Sequence, residues 1–77
     1  MKQFKVYGSG CSNCVKTAEL IAQAAAEQGE EIALEKVTDM KSIALAGVMK
    51  TPGVGLDGRI IHFGSVPTPE LVRSWFA

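Results

Sequence analysis

The chain has 77 residues, of which 47% are hydrophobic, and eight basic side chains balance eight acidic ones, so the formal net charge is zero. A chain of this length forms one small domain, residues 1–77, which buries only about 60% of the surface of its unfolded state. Zero net charge produces no field that attracts polyanions, so we do not expect nucleic acid as a partner.

Both cysteines, Cys11 and Cys14, lie in one short stretch near the amino terminus. The residues before them contain no apolar run long enough for a signal peptide, and no segment approaches the ~20 apolar residues of a membrane span. We therefore expect a cytoplasmic protein without membrane contact. Stable structural disulfides are rare in a reducing cytosol, and one across so short a loop would constrain the unfolded chain little. A redox or metal-binding role is favoured over a structural crosslink.

Apolar periodicity and turn residues predict seven short elements. In chain order they are a strand at 2–7, a helix at about 12–28, a strand at 32–37, a short helix after Asp39 through about 46, strands at 54–56 and 59–63, and a helix starting at 69.

Capping and turn residues mark the limits of these elements. Asp39 and Thr68 are suitable helix N-caps, and Gly29 and Gly47 are suitable helix stops. The Asp57-Gly58 pair is a strong hairpin signal because both turn positions need positive φ.

The predicted order is β-α-β-α-β-β-α. The first strand, long helix and second strand form a right-handed parallel crossover, and the hairpin extends the same sheet in antiparallel fashion. With helices on both faces, the fold class is a three-layer α/β sandwich around a four-stranded mixed sheet.

The two cysteines fall at the junction of the first strand and the first helix. Cys11 lies in the loop, whereas Cys14 lies in the first helical turn, where the helix dipole favours a thiolate. Residues three apart lie on one side of a helix, close enough to bridge. We expect the more exposed Cys11 to attack a substrate disulfide and the more shielded Cys14 to resolve the mixed disulfide.

A second motif, Thr51-Pro52-Gly53, precedes the hairpin. Pro52 would interrupt sheet pairing, and X-Pro bonds are the usual place for a cis peptide. A cis Thr51–Pro52 bond would leave the Thr51 backbone free to pair with an extended substrate strand. An ordinary trans proline at a strand start would be favoured for this motif in isolation, but not in combination with the Cys-x-x-Cys motif.

The stretches VYGSGCSNC, EKVTD and GVMKTPGVGLDGRIIHFGSVP, together with the closing helix, resemble the thioredoxin-like superfamily, and most closely its small, glutaredoxin-sized redox-active disulfide proteins. The resemblance implies a thiol–disulfide oxidoreductase without a bound cofactor. It implies that Cys11 is the attacking thiol, Cys14 the resolving thiol and Pro52 the cis proline. Thr51 would contact the substrate backbone, and we expect Gly10 and Gly53 beside it.

The chain departs from the usual thioredoxin pattern. No Trp precedes Cys11, no Pro separates the cysteines, and residues 1–10 contain no Asp or Glu, so a base for Cys14 must be water or a side chain from elsewhere. Gly53 and Gly55 indicate either a close backbone approach or a loosened strand.

The resemblance to the thioredoxin-like superfamily also implies the partners. Residues 64–67 do not form a Gly-Gly-Asp glutathione site, which favours a thioredoxin-reductase-type electron donor over glutathione. We expect a monomer that acts on disulfide-bearing proteins.

The main alternative is a soft-metal carrier, since the cysteine loop also resembles the copper(I) loop of heavy-metal-associated domains. Against it, Ser9 replaces the Met of that motif and the chain ends in a helix rather than a strand. A structural zinc site needs four ligands, which two cysteines and the distant His62 do not supply.

The remaining candidate side chains are expected to have structural roles. His62 is expected at an exposed or sheet-edge position, Trp75 in packing, and Met40 and Met49 in packing rather than copper binding. A third class, an interaction module without turnover, is not favoured because both cysteines are present.

Overall fold

The computed structural model describes residues 1–9 and 12–76. Its elements are β1 (Lys2–Tyr7), α1 (Ser12–Gln28), β2 (Ile32–Val37), α2 (Met40–Leu45), β3 (Gly53–Leu56), β4 (Arg59–Phe63) and α3 (Pro69–Ser74). The predicted order is confirmed, and β3 begins one residue earlier than predicted. Within the described ranges, no helix has the length and hydropathy that crossing a bilayer requires.

The four strands form one mixed sheet in the order β2-β1-β3-β4. Strand β1 pairs with β2 in parallel and with β3 in antiparallel fashion, and β3 pairs with β4 in antiparallel fashion. Tyr7 at the end of β1 is opposite both Val37 and Gly53. These three residues and the first turn of α1 define what we call the Cys14 edge of the sheet.

The main core lies between one face of the sheet and the helices α1 and α3. Its most buried side chains are Phe4, Ile21, Val54 and Val72, and burying each contributes about 1.5–3 kcal/mol. The Phe4 ring stacks on Phe76 with 5.4 Å between centroids. The partly buried Trp75 packs against this core, which confirms its predicted role.

The other face of the sheet is covered by α2, which forms a smaller cluster from Tyr7, Ile43 and Val48. Helix α2 has six residues and buries Ile43 alone. The prediction that Met40 and Met49 are packing residues is wrong, because their exposed fractions are 72% and 86%. A helix of fewer than two turns has room for one buried side chain, and Ile43 occupies that position.

The sequence left two explanations for Gly53 and Gly55, a close approach to the backbone or a loosened strand. The structure shows that neighbouring side chains approach the backbone of β3 closely at both glycines. A Cβ added at Gly53 would lie 2.7 Å from Val48 Cγ1, and one at Gly55 would lie 3.2 Å from Tyr7 Cε2. The absence of side chains therefore lets Val48 and the Tyr7 ring lie directly on β3. The pairing with β4 also shifts between Val54 and Gly55.

The predicted helix caps are present. Ser42 donates from its backbone N and its Oγ to the Asp39 carboxylate at 3.0 and 2.9 Å, and these hydrogen bonds lower the pKa of Asp39. Thr68 Oγ1 accepts a hydrogen bond from the Leu71 backbone N at 3.1 Å.

The β3–β4 turn is fastened to the start of β1. Asp57 and Gly58 have φ angles of 50° and 88°, as the sequence predicts. The Asp57 backbone N donates to the Gln3 carbonyl at 2.8 Å, and the Gln3 N donates to Asp57 Oδ1 at 2.9 Å. The Asp57 side chain thus holds the hairpin against the neighbouring strand.

We predict that Asp57→Ala lowers the free energy of unfolding by about 1–3 kcal/mol, because it loses one hydrogen bond and places Ala in the left-handed region. Asp57→Asn is the matched control, since Asn keeps an acceptor oxygen and tolerates that conformation. Urea denaturation measures both variants. Equal stability of the Ala and Asn variants would contradict this role.

Candidate functional site

Cys14 lies in the first turn of α1, at the Cys14 edge, with 6% of its surface exposed. Gly8 follows β1 directly and donates its backbone N to the Val37 carbonyl at 2.9 Å. A Cβ added at Gly8 would overlap the Cys14 Sγ. The sulfur therefore occupies the space that any other residue at position 8 would fill.

The predicted attacking thiol, Cys11, and the adjacent Gly10 lie outside the described residues. Their roles stay predictions. Cys14 is the thiol whose surroundings the structure describes.

At Cys14 the helix N-terminus favours negative charge, whereas burial disfavours it. Helix α1 has 17 residues and no acidic side chain in its first turn, so its amino-terminal N–H groups and dipole stabilise negative charge there. A cavity of about 20 Å³ beside the sulfur is lined by Val6, Gly8, Cys14, Val15, Lys36 and Thr38. Among the described residues of this lining, Lys36 is the charged one, and its positive charge also favours an anion.

The Thr51-Pro52-Gly53 segment lies next to the same edge. The Thr51–Pro52 peptide bond is cis. Pro52 is buried and its carbonyl accepts a hydrogen bond from Gly64 N at 3.0 Å, whereas Thr51 is exposed. Thr51 is also close to Gly8. A Cβ added at Gly8 would lie 3.7 Å from the Cβ of Thr51. Cys14 and Thr51 therefore both lie near Gly8, and the structure brings Cys14, Thr51, Pro52 and Gly53 together.

Sequence reasoning missed two neighbours of Cys14. Gly8 is assigned no role by the sequence analysis, although a glycine between a strand and a Cys-x-x-Cys motif is a signal of close packing. Lys36 occupies an ordinary alternating position in β2. Its register opposite Val6 in a parallel pair could have indicated its place near the cysteine.

The predicted sheet-edge position of His62 is confirmed. It lies on the outer strand β4, its Nε2 is 2.8 Å from the Ser65 carbonyl oxygen, and its ring centroid is 6.2 Å from that of Trp75. Over residues 1–9 and 12–76, no three His, Cys, Asp or Glu side chains form a cluster that could hold a metal ion.

Comparison with known proteins agrees with this geometry. Residues 2–77 match the family model described as Thioredoxin domain. A protein named Thioredoxin from Methanothermobacter thermautotrophicus is 32% identical over 73 residues, which cover 95% of each chain. One of the same name from Methanocaldococcus jannaschii is 36% identical over 73 residues, covering 95% of this chain and 84% of its own. The chain belongs to the thioredoxin-domain family, whose general activity is thiol–disulfide oxidoreduction.

We predict that Gly8→Ala lowers the free energy of unfolding of the reduced protein by about 1–3 kcal/mol, because the new methyl group overlaps the Cys14 sulfur. In a Cys14→Ala background the same substitution should cost less, since the sulfur is gone. A double-mutant cycle by urea denaturation measures the difference, and the neighbouring exposed Ser9→Ala is the control. Equal penalties in the two backgrounds would show that the sulfur does not fill this space.

Proposed function

We propose that this protein is a thiol–disulfide oxidoreductase that uses a Cys11-Ser12-Asn13-Cys14 dithiol/disulfide couple to reduce or exchange disulfides of other proteins. The observation that carries the proposal is the position of Cys14, which is buried at a helix N-terminus and lies, like Thr51, beside Gly8. A redox pair needs one shielded thiol that acts after the first exchange.

The reaction has two exchanges. The Cys11 thiolate attacks one sulfur of the substrate disulfide, so a Cys11–substrate disulfide forms and one substrate thiolate leaves and takes up a proton. Cys14 then loses its proton and attacks the Cys11 sulfur, which releases the second substrate thiol. The couple gives up two electrons and two protons and ends as an internal Cys11–Cys14 disulfide.

The burial of Cys14 supports this division of labour. A sulfur with 6% exposure beneath the Gly8 backbone is poorly accessible to the disulfide of another protein. The sulfur expected to reach it is that of Cys11, which lies three positions earlier in the chain. Cys11 therefore makes the first attack.

Among the described residues that line the cavity beside Cys14, Lys36 is charged and none carries a carboxylate. The helix N-terminus and this lysine lower the cost of forming the thiolate. Water or the departing substrate thiolate then takes the proton.

Substrate binding is assigned to the surface around Thr51. This exposed residue lies beside the buried Pro52 and the first residue of β3, Gly53. An extended segment of a disulfide-bearing protein would lie along Thr51, and we propose the neighbouring Gly53 and Gly10 as part of the same substrate surface. A thioredoxin-reductase-type donor would re-reduce a monomeric protein in the cytoplasm.

The test uses two cysteine variants. We predict that Cys11→Ser lowers the rate of disulfide reduction to the uncatalysed background, because the attacking sulfur is absent. Cys14→Ser should still react once and accumulate a stable mixed disulfide, because nothing resolves it. Non-reducing electrophoresis and mass spectrometry measure the adduct, and Asn13→Ala is the control that keeps both sulfurs.

Two results would contradict the proposal. One is a Cys11→Ser variant that keeps the wild-type rate. The other is a wild-type protein that reduces no disulfide yet binds one copper(I) ion through both thiols, which would favour the metal-carrier alternative.

A further inference from the structure

A methionine-flanked groove adjoins the proposed substrate surface. It has a volume of about 310 Å³ and is lined by Ser9, Met40, Ile43, Ala44, Val48, Met49 and Thr51. We call it the methionine groove. The largely buried Ile43 and Val48 form its floor, and the exposed Met40 and Met49 flank it. Because Thr51 is part of its lining, the groove is continuous with the proposed substrate surface around Thr51.

The charged residues next in the chain to the lining of this groove are mostly lysines. Lys41 and Lys50 directly follow the two methionines in the chain, and both are exposed. Lys36 lines the small cavity at Cys14. The adjacent acid, Asp39, is hydrogen-bonded to Ser42 as a helix cap.

Two acids at the opposite edge of the sheet, Glu30 and Asp57, have partners close by. Glu30 Oε1 lies 2.8 Å from Lys2 Nζ, and Asp57 accepts the Gln3 N–H at the hairpin. Residues 36–50, which supply most of the groove, carry three lysines and one acid, Asp39, although the whole chain has a formal net charge of zero. Such an asymmetry steers the approach of a partner by its charge.

We propose that the methionine groove, with Lys41 and Lys50 beside it, recognises a segment of the disulfide-bearing partner in which an apolar side chain is flanked by Asp or Glu. This inference rests on the proposed function and names the chemistry of its substrate. Methionine side chains are flexible and polarisable, so the flanks of the groove adapt to different apolar side chains. The lysines pair with the flanking carboxylates and mainly raise the association rate.

The experiment uses fully reduced protein, freed of reductant, in single-turnover reactions with three disulfides. Two are peptide disulfides of identical sequence except that a Leu near the disulfide is flanked by Asp in one and by Lys in the other. The third is the small neutral 2-hydroxyethyl disulfide. We expect the Asp peptide to react about 10-fold faster than the Lys peptide at low ionic strength, with the ratio falling as salt is added.

The charge contribution is tested by Lys41→Glu/Lys50→Glu, which should abolish or reverse the preference for the Asp peptide and leave the rate with the neutral disulfide within twofold. Arg59→Glu is the matched control, because it also replaces an exposed cation with an acid but lies on the hairpin at the opposite edge.

The apolar contribution is tested by replacing Leu with Ser in the Asp peptide. Wild-type protein should prefer Leu, and Met40→Ser/Met49→Ser should lose most of that preference. Leu45→Ser is the matched control, because Leu45 is 78% exposed at the end of α2 and does not line the groove.

The outcomes separate this inference from the proposed function. Reduction of the neutral disulfide together with equal rates for the Asp and Lys peptides would overturn the inference and leave the oxidoreductase activity standing. The same holds if Arg59→Glu changes the preference as much as the lysine variant does. Failure to reduce any of the three disulfides would overturn both.

Discussion

The contact that the site depends on is the one between the Cys14 sulfur and the backbone at Gly8. Strand β1 ends and helix α1 begins within a few residues, so the first turn of the helix must lie directly against the chain that leaves the strand. Only a residue without a side chain leaves space there for a sulfur atom. The same backbone also approaches Thr51, so the absence of one Cβ sets the distance between the thiol and the Thr51-Pro52 segment.

Close approach at glycine recurs on the other face of the sheet. Val48 lies against Gly53, and the Tyr7 ring lies against Gly55. These contacts hold the segment between α2 and β3 close to the sheet, although α2 buries a single side chain. The short helix therefore leaves Met40, its first residue, and Met49, which follows it in the chain, exposed. The layer on this face of the sheet is incomplete, and a groove lies beside the site. A chain of 77 residues has a small core, and its short helix α2 covers only part of the sheet. The same short helix gives the proposed substrate surface its shape.

Most of the fold could be predicted from local sequence signals, because caps and turns are set by residues close in the chain. Asp39, Thr68 and the Asp57-Gly58 turn lie where their side chains and φ preferences predict. The packing of Met40 and Met49 could not be predicted, since it depends on how α2 lies on the sheet. The role of Gly8 was missed for a similar reason, because a contact between one glycine and the Cys14 side chain leaves no periodic pattern in the sequence. The motifs were enough to indicate the family. Gly10 and Cys11 lie outside the described residues, so their predicted roles stay predictions.

The central claim is that Cys11 and Cys14 form one two-electron couple. The most direct measurement is equilibration of the protein with dithiothreitol buffers of graded potential, followed by acid quenching, alkylation and peptide mapping. We predict a single reversible transition that follows a two-electron Nernst curve, with an intramolecular Cys11–Cys14 disulfide in the oxidised protein. Oxidised protein that contains only intermolecular disulfides, or cysteines that stay alkylatable at every potential, would contradict it.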